Sequence, residues 1–191
     1  MCGRFAFATK RETLKRQFKV DNLLDDPPIN YNVAPTQQIP IIRKEADTKR
    51  LISTAHWGLI PFWAKNRKMA HQTINARAET IREKPSFRHC FRRKRCIIPA
   101  SGFFEWHSLG ELKQPHYISL RDKSLLGLAG LWDTWENDGE IMESCTIVTS
   151  ASATNSSSTI TLFSPSESRT SPSSSAPMGM PYSSNSTSPP F

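Results

Sequence analysis

Apolar and polar residues alternate through Arg4-Phe5-Ala6-Phe7-Ala8, the period of a strand with one buried face, so the chain enters a sheet close to its first residue. The period then lengthens. Leu14 and Phe18 stand four residues apart with Lys10, Arg11, Lys15 and Arg16 on the other side, a helical pattern, and Thr9-Lys10-Arg11-Glu12 has the spacing of a capping box at its start. Asp25-Asp26-Pro27-Pro28 breaks the pattern, and Tyr31-Asn32-Val33-Ala34-Pro35 reads as a loop with a stiff end. A strand follows over Gln38 to Ile42; Pro40 inside it has no N–H to donate, which predicts an edge position. Further strands are predicted over Ser53 to Gly58, Cys96 to Pro99, Gly102 to Trp106, His116 to Leu120, Leu125 to Trp135 and Cys145 to Thr149. Many short strands and few long helical stretches give an α+β domain, a curved antiparallel sheet or open barrel with short flanking helices.

Composition divides the chain. Residues 1–149 look globular and carry nearly all the charge, whereas residues 150–191 are rich in Ser, Pro and Thr, with Glu167 and Arg169 their only charged side chains. The formal net charge of +8 therefore belongs to the first part. A basic domain of this size points either to a polyanionic partner, nucleic acid before membrane, or to ordinary solubility charge. The second part is too poor in apolar residues to bury a core and is expected to be disordered.

Four cysteines, Cys2, Cys90, Cys96 and Cys145, include no CxxC pair and no His at zinc-finger spacing, so no metal or other cofactor is expected. No charged leader precedes an apolar stretch, and no apolar run approaches the ~18 residues that span a bilayer. A reduced, intracellular monomer without membrane contact is the reading, with Cys96 and Cys145 as buried strand residues.

Cys2 is different in kind. Once Met1 is removed it carries a free amine and a free thiol on adjacent carbons, a 1,2-aminothiol that condenses with an aldehyde to a five-membered thiazolidine ring. Two other stretches could serve such chemistry. In Phe103-Phe104-Glu105-Trp106 alternation puts Glu105 on one face with Phe103; if that face is interior, desolvation raises the carboxyl toward neutral pH and fits it for proton transfer, and if it is solvent Glu105 is an ordinary surface acid. Ile60-Pro61-Phe62-Trp63-Ala64-Lys65, with Arg67 and Lys68, either lines a single-strand groove or is an aromatic cluster under a basic surface. The run Arg88, Arg92, Arg93, Lys94 and Arg95 leans toward phosphate contact.

Taken together, Met1-Cys-Gly-Arg-Phe5, Tyr31-Asn-Val-Ala-Pro35, Trp57-Gly-Leu-Ile-Pro61 with Trp63-Ala-Lys65, Ile74-Asn-Ala-Arg-Ala-Glu79, Arg95-Cys-Ile-Ile-Pro99 and Gly102-Phe-Phe-Glu-Trp106 resemble the SOS response-associated peptidase (SRAP) family of abasic site processing proteins. The likeness covers residues 1 to about 149. It implies a covalent thiazolidine link between Cys2 and the aldehyde of an abasic site in single-stranded DNA, with Met1 lost by the family's own proteolytic activity or by an aminopeptidase, and an associated lyase activity. It implies that Asn75 holds the lesion sugar or the new N-terminus, that Arg4 and Arg77 hold phosphates, and that Glu105 is the acid-base group; Pro35 and Trp63 would make wedge and stacking contacts. The setting would be nucleoid or nucleus.

The family's downstream histidine, in a stretch resembling Ile-His-Asp-Arg-Met-Pro, is replaced here by Ser-Ser-Thr-Ile160-Thr-Leu-Phe163. Either residues 150–191 are a natural low-complexity tail or a frameshift lies near residue 150. The latter is favoured because Thr154-Asn155-Ser156, written ACG-AAC-TCN, becomes Asn-Glu-Leu when read one nucleotide earlier. Either way, loss of that segment predicts weakened packing and impaired chemistry. Two other readings stand beside the resemblance: an N-terminal-nucleophile glutamine amidohydrolase, which also begins Met-Cys-Gly, and a non-catalytic reader of single-stranded or modified DNA.

Overall fold

Five strands close on themselves at the centre of this protein. Its structure, a computed structural model, describes residues 3–24, 27–44, 49–110, 112–151 and 158–160. In chain order these form β1 (Arg4–Phe7), α1 (Arg11–Phe18), β2 (Asn22–Leu23), β3 (Asn30–Val33), β4 (Gln38–Lys44), β5 (Arg50–Trp57), β6 (Asn75–Arg77), α2 (Pro85–Arg93), β7 (Arg95–Ala100), β8 (Gly102–Leu109), β9 (Leu112–Ile118), β10 (Leu126–Asn137), β11 (Glu140–Ala151) and β12 (Ser158–Ile160). β5, β4, β7, β10 and β11 pair antiparallel in that order. β11 then runs parallel to β5, with Ser144 opposite His56 and Cys145 opposite Trp57, and the ring is shut. β2, β6 and β12 attach to it, completing an eight-stranded sheet. A second sheet, in the order β3-β1-β8-β9, lies beside the barrel. The fold is thus the α+β, barrel-like class that the strand-rich pattern predicts.

The interior follows from alternation. Phe5, Phe7, Val33, Ile39, Ile41, Ile52, Trp57, Ile98, Leu128 and Ile147 face one another in a single core, capped by Leu14 and Phe18 of α1. Each such side chain contributes roughly 1.5–3 kcal/mol by leaving water. On the outer face, Phe87 and Cys90 of α2 pack with Leu59, Ala76, Ile81, Leu131 and Val148 in a separate cluster. Alternation along β6 and β11 splits the two: Asn75 lies opposite Ile147 on the interior side, Ala76 opposite Val148 on the α2 side.

Several local expectations change. Thr9 does not cap α1; Lys10 is the N-cap, without a side-chain cap bond, and the helix begins one residue later than the capping-box pattern implies. Pro40 does not mark an edge strand, since β4 has neighbours on both sides. Its ladder with β7 involves only Ile42 and Arg43, so Pro40 sits where β5 alone is paired and no bond on the other side is forfeited. The cationic run is mostly helical: Phe87, Cys90 and Phe91 have helical spacing that the density of charge around them obscured, and Pro85 suits the first turn. The expected boundary after residue 149 falls within β11, which continues to Ala151, and Ser158–Ile160 pairs with the end of that strand. The remainder of the Ser-rich segment lies outside the described residues.

Candidate functional site

Four of the sequence stretches meet at one residue, Trp57. The ring of Phe5, fully buried in β1, packs edge-on against the Trp57 indole with centroids 5.3 Å apart. The indole N–H donates to the carbonyl of Ile74 at 2.9 Å, which fixes the residue before Asn75. The Trp57 backbone N–H donates to Gln37 O at 2.9 Å, and its carbonyl accepts from Thr36 N at 2.8 Å, which holds the turn containing Pro35. Thr36 has φ +73°, a strained conformation for a β-branched residue, and the two bonds around it are what hold it there. Gly58 follows at φ +141°, where a Cβ would stand 2.5 Å from the Ala70 carbonyl oxygen; only glycine lets the chain turn here and bond Cys145 O at 2.9 Å.

Glu105 reaches the same neighbourhood through strand register. β1 and β8 pair with Arg4 opposite Phe104 and Phe5 opposite Phe103. The ladder ends at Arg4; carried one step further, its register would set Gly3 across from Glu105. Cys2 and Met1 lie outside the described residues; Cys2 is bonded to Gly3, so its Cα is about 3.8 Å from that of Gly3. Phe103 is 7% exposed and Glu105 is half-buried, so the face they share leaves the core at the carboxylate. Neither the fully interior nor the fully exposed reading of Glu105 holds: it stands on the rim.

Asn75, also half-buried, points to the interior side of the barrel wall beneath Trp57, and Arg77 at the end of β6 is exposed. Arg4 lies on the opposite face of its sheet from Glu105, where its guanidinium donates to Asn32 Oδ1 at 3.0 Å. The structure therefore brings Asn75, the Pro35 turn and the start of β1 together around Trp57, with Glu105 alongside, and leaves Arg4 and Arg77 on flanking surface.

Trp63 belongs to a separate, rigid loop. Asp133, 0% exposed, accepts from Phe62 N–H at 3.0 Å, from Thr134 N–H at 2.9 Å and from Lys94 Nζ at 2.8 Å. Trp135 Nε1–H donates to Ala64 O at 2.6 Å and pins the far end. Phe62 and Trp63, 51% and 47% exposed, project from this anchored backbone, so these rings are not a cluster buried beneath the cations. The Phe62 ring meets His89 of α2 at 5.1 Å, next to Arg88, Arg92 and Arg93. Because α2 covers the outer face of the barrel, its arginines are not gathered around Asn75. A groove of about 550 Å³ on that side, lined by Ile97, Ala129, Leu131, Arg82 and Arg95, includes Arg95 of the cationic run but none of Arg4, Pro35, Trp63, Asn75, Arg77 and Glu105.

Thiol chemistry among the described residues is suppressed. Burial, and then the charge of Asp133, push the Cys90 thiol up to about 12, and burial also drives Cys96 and Cys145 well above the usual thiol range. No group of three or more His, Cys, Asp or Glu among the described residues could hold a metal, and none of their helices is long and apolar enough to cross a membrane. Sequence reasoning missed Asp133 and treated Trp57 only as part of a motif. The signal for Asp133 was an acid inside the apolar run Leu131-Trp-Asp-Thr-Trp135.

Comparison with known proteins gives a consistent result. The profile described as SOS response associated peptidase (SRAP) matches residues 1–160. The chain is 43% identical over 153 residues to the abasic site processing protein YoqW of Bacillus subtilis, covering 78% of this chain and 68% of that protein. It is 33% identical over 156 residues to the abasic site processing protein YedK of Escherichia coli, covering 79% and 68%. With the abasic site processing protein HMCES of Xenopus tropicalis it shares 35% identity over 150 residues, 63% of this chain and 45% of that protein. A crystal structure of a Bacteroides thetaiotaomicron protein superposes with a TM-score of 0.66 at 33% identity, covering 78% and 68% of the two chains.

Proposed function

The chain belongs to the SOS response associated peptidase (SRAP) family, and from that footing we propose that it captures abasic sites in single-stranded DNA by covalent linkage to Cys2. The reading rests on one observation above the others: β1 pairs with β8 with Arg4 opposite Phe104, a register that, carried one residue past the end of the ladder, would bring Gly3, the neighbour of the aminothiol, toward Glu105. An abasic sugar is a hemiacetal in equilibrium with its open aldehyde. Opening moves the proton of the C1′ hydroxyl away and delivers one to the ring oxygen as the C1′–O4′ bond breaks, work suited to a half-buried carboxyl. The Cys2 amine then adds to the aldehyde, water leaves, and the thiol adds across the imine with its proton passing to nitrogen, closing the thiazolidine.

Asn75 is assigned to the sugar or the freed N-terminus, since its strand is fixed by Trp57 beside β1. Arg4 and Arg77 are assigned to flanking phosphates, which set register before chemistry. Trp63 offers an exposed ring for base stacking and Pro35 a stiff edge beside the lesion. Removal of Met1 by the same site, lyase activity through the imine, and action on chromosomal DNA inside the cell complete the proposal. Without the family's downstream histidine, the linkage is expected to form slowly.

The test is a denaturing gel after incubation with abasic single-stranded DNA. A slow-migrating covalent band in the unaltered chain, absent in Cys2→Ala, is the expected result. Tight binding with no such band would instead identify a non-covalent reader, and ammonia release from glutamine an amidohydrolase.

A further inference from the structure

Glu105 does not face the solvent alone. In the β8–β9 ladder Phe103 pairs with Ile118, Glu105 with His116 and His107 with Gln114, and all six side chains share one face of the sheet. Phe103 is buried, Glu105 and His116 are half-buried, and His107 and Gln114 are exposed. The Glu105–His116 pair thus occupies the step at which the face passes from core to water. Directly opposed side chains have Cβ atoms about 4.5–5.5 Å apart, close enough for one hydroxyl or water to sit between their polar ends. On the other side of β8 lies β1, whose ladder ends with Arg4 opposite Phe104, the residue before Glu105.

We propose that His116 is the proton partner of Glu105, a positioning residue that exchanges protons with the carboxyl while the aminothiol reacts. The inference rests on the function proposed above. Opening the sugar takes one proton from the C1′ hydroxyl and puts one on the ring oxygen. Imine formation then moves two protons from the amine nitrogen to the oxygen that leaves as water. A single carboxyl must therefore deliver protons more than once in a cycle and recover them in between. An imidazole across the ladder can take a proton from the carboxyl after one step and return it before the next, leaving both side chains as they began.

The surroundings suit this role. β9 is the outermost strand of its sheet, so only β8 flanks it in the ladder. The titratable groups that face His116 are Glu105 and His107 of β8, the latter edge-on with ring centroids 6.0 Å apart. The flanking residues of β9 on that face, Gln114 and Ile118, carry no charge. The described residues give His116 no hydrogen bond or ion pair that would commit its ring nitrogens elsewhere.

The decisive measurement is the single-turnover linking rate on an abasic 21-nucleotide strand from pH 5 to pH 8.5. His116→Gln is expected to slow linking about ten-fold and flatten the part of the profile where histidine titrates, while His107→Gln stays within about two-fold of the unaltered chain. Combined with Glu105→Gln, His116→Gln should add almost nothing, since the two act as one unit. A His116→Gln profile that superimposes on the unaltered one, or two effects that multiply, overturns the proposal. Should His116→Gln fold poorly, a nuclear magnetic resonance titration of the His116 ring replaces it: the curve must shift on Glu105→Gln, and an unchanged curve sinks the pairing. If the unaltered chain forms no covalent band at all, it is the Cys2 chemistry that fails, and the titration still decides whether the pair is coupled.

Discussion

Two carboxylates of this protein, Asp133 and Glu105, both lie in strands among aromatic residues, yet their surroundings differ in every respect that matters. Asp133 is sealed in the barrel wall with two backbone N–H donors and the Lys94 ammonium upon it. Glu105 stands half-buried on a sheet face that opens toward β9, opposite an imidazole. An acid sealed among fixed donors holds structure; the proposed function asks the half-buried one, at a rim beside a second titratable group, to move protons. Burial alone does not identify a reactive group, because the more buried of these two is the one with the least freedom.

The contrast can be broken in several ways. Asp133→Ala removes the partner of the half-buried Lys94 ammonium and of two amides and should cost about 2–4 kcal/mol of stability, read from urea denaturation. A denaturation midpoint close to that of the unaltered chain would mean that Asp133 is no keystone. Glu105→Gln should do the reverse: stability within about 0.5 kcal/mol, but a linking rate down by about 100-fold or more, equivalent to about 2.7 kcal/mol of barrier. Equal damage to stability and rate would erase the distinction between the two acids.

Trp57→Phe sits between them, deleting the donor to Ile74 while leaving an aromatic ring against Phe5. A loss of about 1–2 kcal/mol is expected, with linking slowed several-fold because Asn75 is less firmly placed; urea melts and the gel assay together would show whether packing alone suffices. The smallest effect belongs to Arg77→Ala. Removing one phosphate contact should lower the slope of log affinity against log salt by about 0.7 on single strands, with stability unmoved. An unchanged slope would remove Arg77 from the DNA path.

Much of this architecture is written in local pattern. The alternation of Arg4–Phe7 and of Phe103-Phe104-Glu105-Trp106, and the spacing of Leu14 and Phe18, determine which faces are buried. The closure of the ring is not local. It depends on the parallel contact of β11 with β5, joining residues some ninety positions apart, just as β6 attaches to β11 across some seventy, and no neighbouring residues provide a cue for either. The same holds for the candidate site. Glu105 could be singled out as an acid among aromatics, but its pairing with His116 depends on the length of the β8–β9 hairpin. The role of Trp57 depends on four bonds and contacts made by distant segments. Thr9 shows the converse, a good local signal overridden when its neighbour took the capping position.

The parallel contact between β6 and β11 also orders events in time. Asn75 is held opposite Ile147, so the wall that carries Asn75 is incomplete until β11 has been synthesised and docked. At ribosomal rates of 5–20 residues per second the first residues wait on the order of ten seconds for that strand. During this interval an unblocked aminothiol would meet every aldehyde in the cell with no pocket to discriminate among them. A chain whose finished fold removes its own Met1 avoids that exposure, because the amine stays blocked until the selective site exists. On the proposed function, Met1 would keep the Cys2 amine blocked until the strand that completes the site has docked.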